Sequence, residues 1–161
     1  MSARPDIPGL LTELLAAAPA GFAAGLHLRY TSPTYMFQTY PRAWVEEYTR
    51  EGLLMRDPTV AWGLTHTGRI AWSELPDGDP DGVMARARAH GLVHGLTLSL
   101  DRSESRSIGS FARSDRAFLP VEIDTIREAL ESLHDVTLSA APLSPATRAA
   151  LRRLSVAFSQ I

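Results

Sequence analysis

The sequence of 161 residues contains no cysteine. A disulfide scaffold, a thiolate metal site and a cysteine nucleophile are thereby excluded. Lysine is absent as well: all 16 positive side chains are arginines. That removes a phosphate-binding P-loop and Schiff-base chemistry. Positive charge is not in excess, with a formal net charge of −2, so binding of nucleic acid through bulk charge is not expected. Long apolar runs are missing too. The most apolar early stretch, Leu10 to Phe22, is interrupted by Thr12, Glu13 and Pro19, well short of the ~20 residues that span a bilayer. It also lacks the cationic start of a signal peptide. The chain therefore reads as cytoplasmic, with no membrane partner.

What remains is a globular composition, 45% hydrophobic and 21% charged, of a size that buries a core. Residues 142–161 hold three arginines and no acid, so the rest of the chain carries −5. Helical spacing of Leu10, Leu11, Leu14 and Leu15 predicts a helix over 6–18. Strands are expected over 22–30 and 35–40, separated by a turn at 31–34. Pro41 suits the first position of a helix ending at Gly52, and Asp57-Pro58 is an N-cap and N1 pair opening another to His66. A short strand at 69–73, a helix at 81–90, and a hairpin of strands 97–100 and 108–113 around a polar loop follow. Pro120 starts a long amphipathic helix. Ser144-Pro145 opens a last one, with Leu143, Leu151, Leu154 and Phe158 on one face. This order predicts an α/β/α sandwich, a central antiparallel sheet of about five strands with helices on both faces.

Most chemistry-bearing patterns fail on their own terms. Asp77-Gly-Asp-Pro-Asp-Gly82 opens like a calcium loop, but its twelfth position is Arg88 where a bidentate carboxylate is needed. The bland reading is a loop ending in an N-cap. His90 and His94 have a metal-compatible spacing, yet Gly91 and Gly95 break any helix that would align them. Gly109-Ser110-Phe111 lacks the second glycine of a nucleophile elbow. No metal, cofactor or catalytic residue is expected, and the chain does not read as an enzyme.

One constellation survives. Tyr40, Trp44 and Tyr48 recur in steps of four, which places them on one face of a helix. Arg56-Asp57-Pro58-Thr59-Val60 and then Trp72 follow. Such aromatics combine an apolar body with a polar handle. Together with a carboxylate they suit a small molecule with carbonyl acceptors, one N–H donor and an apolar tail. An aromatic stripe of this kind also packs as ordinary core, and Asp57 is also an ordinary cap.

The ordered set Tyr40-x3-Trp44-x3-Tyr48, Asp57-Pro58, Trp72 and Gly91-Leu-Val-His-Gly95-Leu-Thr resembles the autoinducer-binding domain of LuxR-type quorum-sensing regulators, over about residues 5–140. The resemblance implies a cavity for an N-acyl-homoserine lactone. Trp44 would donate to the lactone carbonyl, Tyr40 to the acyl carbonyl, and Asp57 would accept from the ligand amide. Thr59 would support the polar network, Tyr48 and Trp72 would wall the head group, and Val60, Leu92 and inward residues of strand 22–30 would line the acyl chain. Ala112 stands where several family members carry a hydroxyl, and Ser99 where the family often has proline. The expected division is a ligand-binding domain over 1–141 and, over 142–161, a linker and terminal helix resembling the opening of a DNA-binding domain. No recognition helix fits in that segment, so direct DNA binding is not expected. The principal expectation is a non-enzymatic signal receptor. The alternative is an interaction protein: family members dimerise through this domain, so the chain would form a homodimer, or a heterodimer that inhibits a full-length regulator.

Overall fold

The computed structural model describes residues 6–160; the outermost ends of the expected segments, 1–5 and 161, lie outside it. Helix α1 (Ile7–Ala17) is opened by Asp6, whose side chain accepts from the Gly9 N–H. Strands β1 (Gly21–Arg29) and β2 (Ser32–Gln38) form a hairpin. Helix α2 (Arg42–Arg50) and a single 3-10 turn (Leu53–Arg56) lead into α3 (Pro58–Thr65). Strand β3 (Gly68–Ala71), α4 (Val83–Ala89), the hairpin β4 (His94–Arg102) and β5 (Ser105–Arg113), and α5 (Pro120–Val136) follow. The chain closes with α6 (Pro145–Arg153) and β6 (Ala157–Gln160).

All pairings are antiparallel, in the order β3-β4-β5-β1-β2-β6. The expected sandwich is present, with six strands in its sheet. Phe158, expected on the face of the last helix, lies instead on β6 opposite Phe37. Ser155 takes a positive φ of 59° just after α6 and redirects the chain onto the edge of β2. The segment 142–160 is thereby tied into the body, because Leu143, Leu151 and Val156 are buried in the same core as α1 and α5.

The 101–107 loop also differs from expectation. Strands β4 and β5 stay paired to Arg102↔Ser105, leaving a two-residue turn at Ser103-Glu104 with φ of 54° and 58°. Two consecutive positive φ values match the twist of a hairpin. Such turns normally carry glycine or asparagine, which is why the sequence pattern concealed this one.

Side chains alternate across the sheet. Phe22, Ala24 and Leu26 of β1, Tyr35 and Phe37 of β2, Leu96 and Leu98 of β4 and Phe111 of β5 face α1 and α5, and meet Leu11, Leu14, Ile126, Leu130 and Leu133. Full burial of each such large side chain is worth about 1.5–3 kcal/mol. The opposite face carries Ala23, Gly25, Gly95, Ser110 and Ala112 under α2, α3 and α4. Large groups on one face and small ones on the other leave the second layer with space. Among the described residues no helix is long and apolar enough to cross a membrane.

Candidate functional site

That space is a cavity of about 420 Å³ between the sheet and α2, α3 and α4. Of the residues singled out from sequence, Tyr40, Trp44, Tyr48, Asp57, Thr59, Val60, Trp72 and Leu92 all line it. Ala112 does not. It is fully buried beside the cavity, packed in the cluster of Trp44, Leu53, Val83, Ala87 and Leu92. The hydroxyl on that strand comes from Ser110, two residues earlier on the same face, whose Oγ lies 2.8 Å from Thr97 Oγ1. Stepping back by two along the strand from Ala112 would have found it. On β1 it is Ala23, Gly25 and Leu28 that face the cavity.

Helix α2 begins at Arg42, one residue later than its proline suggested, because Pro41 has ψ of 135° and acts as the N-cap residue. Tyr40 therefore precedes the helix and does not share its face with Trp44 and Tyr48. It reaches the cavity by lying across Gly21, where a Cβ would stand 2.9 Å from the Tyr40 ring. The Tyr40 hydroxyl donates to the Ser110 carbonyl at 3.3 Å. Trp44 and Tyr48, one helical turn apart, meet edge to face at 5.5 Å. Glu47, on the same helix, accepts from His90 Nε2 at 2.9 Å and lies 3.8 Å from Arg86, tying α2 to α4.

Asp57 organises the polar end. It caps α3 through Oδ1, which accepts from the Thr59 N–H at 2.9 Å and the Thr59 hydroxyl at 2.7 Å. Its Oδ2 accepts from the Tyr48 hydroxyl at 2.8 Å. Burial raises the Asp57 carboxyl above its ordinary range, and the bonds from Thr59 and Tyr48 offset this only in part. Burial, and then the neighbouring carboxylate, push both the Tyr48 and Tyr40 hydroxyls up, so both remain proton donors at neutral pH.

Trp44 is 4% exposed. Every fully enclosed side-chain nitrogen and oxygen among the described residues has a hydrogen-bond partner. The Trp44 indole N–H donates to no protein acceptor among them, so it is not fully enclosed, and the residue lines the cavity. Trp72, expected as a packing wall, also makes a polar contact: its Nε1 donates to Thr97 Oγ1 at 3.0 Å. Its ring lies flat over Gly95, where a Cβ would come within 1.8 Å of it. Ser99, in the next sheet row, donates to the Gly63 carbonyl at 2.6 Å, and Arg106 bonds Ser99 and the Gly63 and His66 carbonyls, closing the end of α3.

The patterns set aside earlier serve the frame. Both carboxylate oxygens of Asp79 accept backbone N–H groups, those of Val83 and Met84 at the start of α4. Among the described residues no cluster of His, Asp and Glu is arranged to hold a metal ion.

The family model of the autoinducer binding domain matches residues 21–141. The chain is 30% identical over 107 residues to the regulatory protein SdiA of Escherichia coli, covering 65% of this chain and 44% of SdiA. It is 33% identical over 89 residues to the transcriptional activator VanR of Vibrio anguillarum, covering 53% and 37%. The chain thus spans less than half the length of these relatives. In fold it is similar to the LuxR-family transcription factor CepR2 of Burkholderia cenocepacia, described as N-acylhomoserine lactone dependent (TM-score 0.61, 18% identity, 92% of this chain and 84% of that one). It is equally similar to SdiA solved in complex with octanoyl-rac-glycerol (TM-score 0.61, 22% identity, 94% and 71%). These relatives are named as regulators rather than enzymes. The chain belongs to the autoinducer-binding domain family of LuxR-type quorum-sensing regulators.

Proposed function

We propose that this chain is a non-enzymatic receptor for an N-acyl-homoserine lactone or a similar acyl signal, held in the cavity between the sheet and α2–α4. One observation carries the reading: the unengaged Trp44 indole donor and the buried Asp57 carboxylate line one chamber whose remaining wall is mainly apolar. A donor and an acceptor match a head group with a carbonyl and an N–H. In this reading Trp44 donates to the ring carbonyl and Asp57 accepts from the amide. Tyr40 and Ser110 stand by the acyl carbonyl, Thr59 steadies Asp57, and Tyr48 and Trp72 flank the ring. Val60, Leu92, Ala23 and Gly25 border the tail, while Ala112 packs behind the head-group wall.

Thermal melting against lactones of increasing acyl length, with octanoyl-rac-glycerol alongside, tests this, since a ligand that binds only the folded state raises the melting temperature in proportion to its free concentration. A dose-dependent rise is expected with at least one lactone. Trp44→Phe keeps a ring and removes the donor. Loss of one neutral hydrogen bond, about 0.5–1.5 kcal/mol, weakens lactone binding roughly twofold to tenfold. Unchanged affinity would overturn the assignment of Trp44, and no shift with any of these compounds would overturn the receptor reading.

The surface favours a second, compatible reading, association with another chain of this family. Leu119, Val121 and Val136 on and beside α5 are 49%, 67% and 40% exposed. Sedimentation of wild type against Val121→Asp tests it: a dimer that the variant dissociates supports the reading, and a monomer at all concentrations, with no capture of a full-length homologue, rejects it.

A further inference from the structure

The cavity continues beyond the head-group end along the sheet. The row Ser99↔Ile108↔Gly25↔Met36↔Ser159 crosses from β4 to β6 without a break in pairing. Ile108, Gly25, Met36 and Ser159 all line the same cavity as Trp44 and Asp57. The wall is apolar through Ile108, Leu28, Pro33 and Met36. It then ends in a rim of exposed hydroxyls, Thr31, Ser32 and Ser159. Ser159 belongs to β6, the strand that the sequence pattern concealed. From Ser110 at the head-group end to β6 is three strand spacings, roughly 14 Å at about 4.8 Å each. With C–C bonds of roughly 1.5 Å, an extended alkyl chain advances about 1.25 Å per bond, so about twelve carbons cover that distance.

We infer that β6 forms the outer end of the acyl-tail channel, and that Ser159 sets the tail length at which added carbons stop adding affinity. The inference rests on the receptor reading above and names a specificity position within it. The physical reason is the change in wall chemistry. A methylene lying over Met36 leaves water for an apolar surface, whereas one passing Ser159 meets hydroxyls and solvent and gains nothing. The strand is anchored for this role by the Gln160 side chain, which donates to the Ala141 carbonyl and accepts from the Leu143 N–H. Phe158, next to Ser159, lies under the guanidinium groups of Arg148 and Arg152.

The test measures the dissociation constants of hexanoyl- and dodecanoyl-homoserine lactone for wild type, Ser159→Leu and Ser159→Asp. Ser159 is exposed on an edge strand, so neither variant disturbs the core. The hexanoyl tail stops short of β6 and should bind all three proteins equally. The dodecanoyl tail reaches it. Ser159→Leu should tighten dodecanoyl binding roughly fourfold, the gain of about one buried methylene, and Ser159→Asp should weaken it severalfold. Equal effects on both lactones, or none on either while wild type binds them, would overturn the inference and leave the receptor reading standing. Wild type that binds neither of these two lactones would overturn the inference, and failure across the whole panel of acyl lengths and octanoyl-rac-glycerol would remove the receptor reading with it.

Discussion

Gly95→Ala is the sharpest perturbation the structure offers. An ideal Cβ there would stand 1.8 Å from Cδ2 of Trp72 and 2.1 Å from its Cε2 and Cε3. Gly95 has no positive φ, so its backbone accepts alanine and the objection is purely steric. The methyl and the indole cannot coexist, and the ring must leave the cavity wall. Overpacking a well-ordered site costs about 1–3 kcal/mol, and the lost bond from Trp72 to Thr97 adds about 0.5–1.5 kcal/mol. For a chain of this length the melting temperature should fall by roughly 10 °C. Tryptophan fluorescence should report the displaced indole as greater access to an aqueous quencher, and lactone affinity should fall with it. The decisive measurement is a cycle. In a Trp72→Leu background the same glycine substitution meets a smaller, flexible side chain and should cost less than about 1 kcal/mol, a coupling well outside the additivity of independent sites. Equal losses in both backgrounds would show that Gly95 serves something other than the seat of Trp72.

Asp57→Asn keeps the acceptor that caps α3 and removes the charge. Lactone affinity should drop roughly tenfold to a hundredfold, the loss of a hydrogen bond to a charged group of about 1.5–3 kcal/mol, as read by calorimetry; wild-type affinity would refute the role. Because burial raises the Asp57 carboxyl in the folded state, its contribution to stability is present below the ordinary value of 3.8 and lost as pH rises through the raised one. The asparagine variant should therefore compare more favourably with wild type at pH 7 than at pH 4, and the reverse order would refute the sign. His27 and His134 behave oppositely. Their rings lie 4.4 Å apart, His27 on β1 and His134 on α5, and burial, followed for His27 by repulsion from His134, lowers both. Their contribution is present above the ordinary value of 6.5 and lost as pH falls through the lowered ones. The urea midpoint should decline on acidification below about pH 6.5, with a shallower decline in His134→Asn; an unchanged slope would refute it.

The sequence made the layers legible because the fold's signals are local. Asp57 and Ser144 each cap the helix that their side chain and following proline announced; α1 is placed by its leucine spacing alone, without its Asp6 cap. Turn residues on both sides of 22–30 and the short aromatic-rich run 35–40 placed the first two strands. Eight of nine expected site residues line the cavity; helical spacing carries Trp44 and Tyr48 there, while Tyr40, Trp72 and Leu92 arrive from outside the α-helices. What stayed hidden depends on pairing between distant segments. Strand β6 has four residues and no partner nearby in sequence, and only its register with β2 makes it a strand. The Ser103-Glu104 turn lacks the residues that normally mark a positive φ. Ser110 was legible as a hydroxyl, yet its place beside Thr97 follows from the β4–β5 register, which the underestimated hairpin left undefined.

The cavity itself follows from an unequal division of volume between the two faces of one sheet. The face toward α1 and α5 is filled mainly by phenylalanine, tyrosine and leucine, which pack on both helices in one core. The face toward α2–α4 presents glycine, alanine and serine, so the helices rest on a floor that leaves room. A dry void in a core costs about 24 cal/mol per Å³. At 420 Å³ that would be on the order of 10 kcal/mol, comparable to the whole stability of a domain. The channel escapes that penalty by opening to solvent over Ser32 and Ser159. Its apolar stretch over Met36 and Ile108 then becomes surface that an acyl chain can remove from water at about 0.8 kcal/mol per methylene. Ligand binding and chain stability are therefore coupled through the same floor of small residues. A substitution that fills it, such as a larger side chain at Ala23, would stabilise the protein in proportion to the affinity it removes.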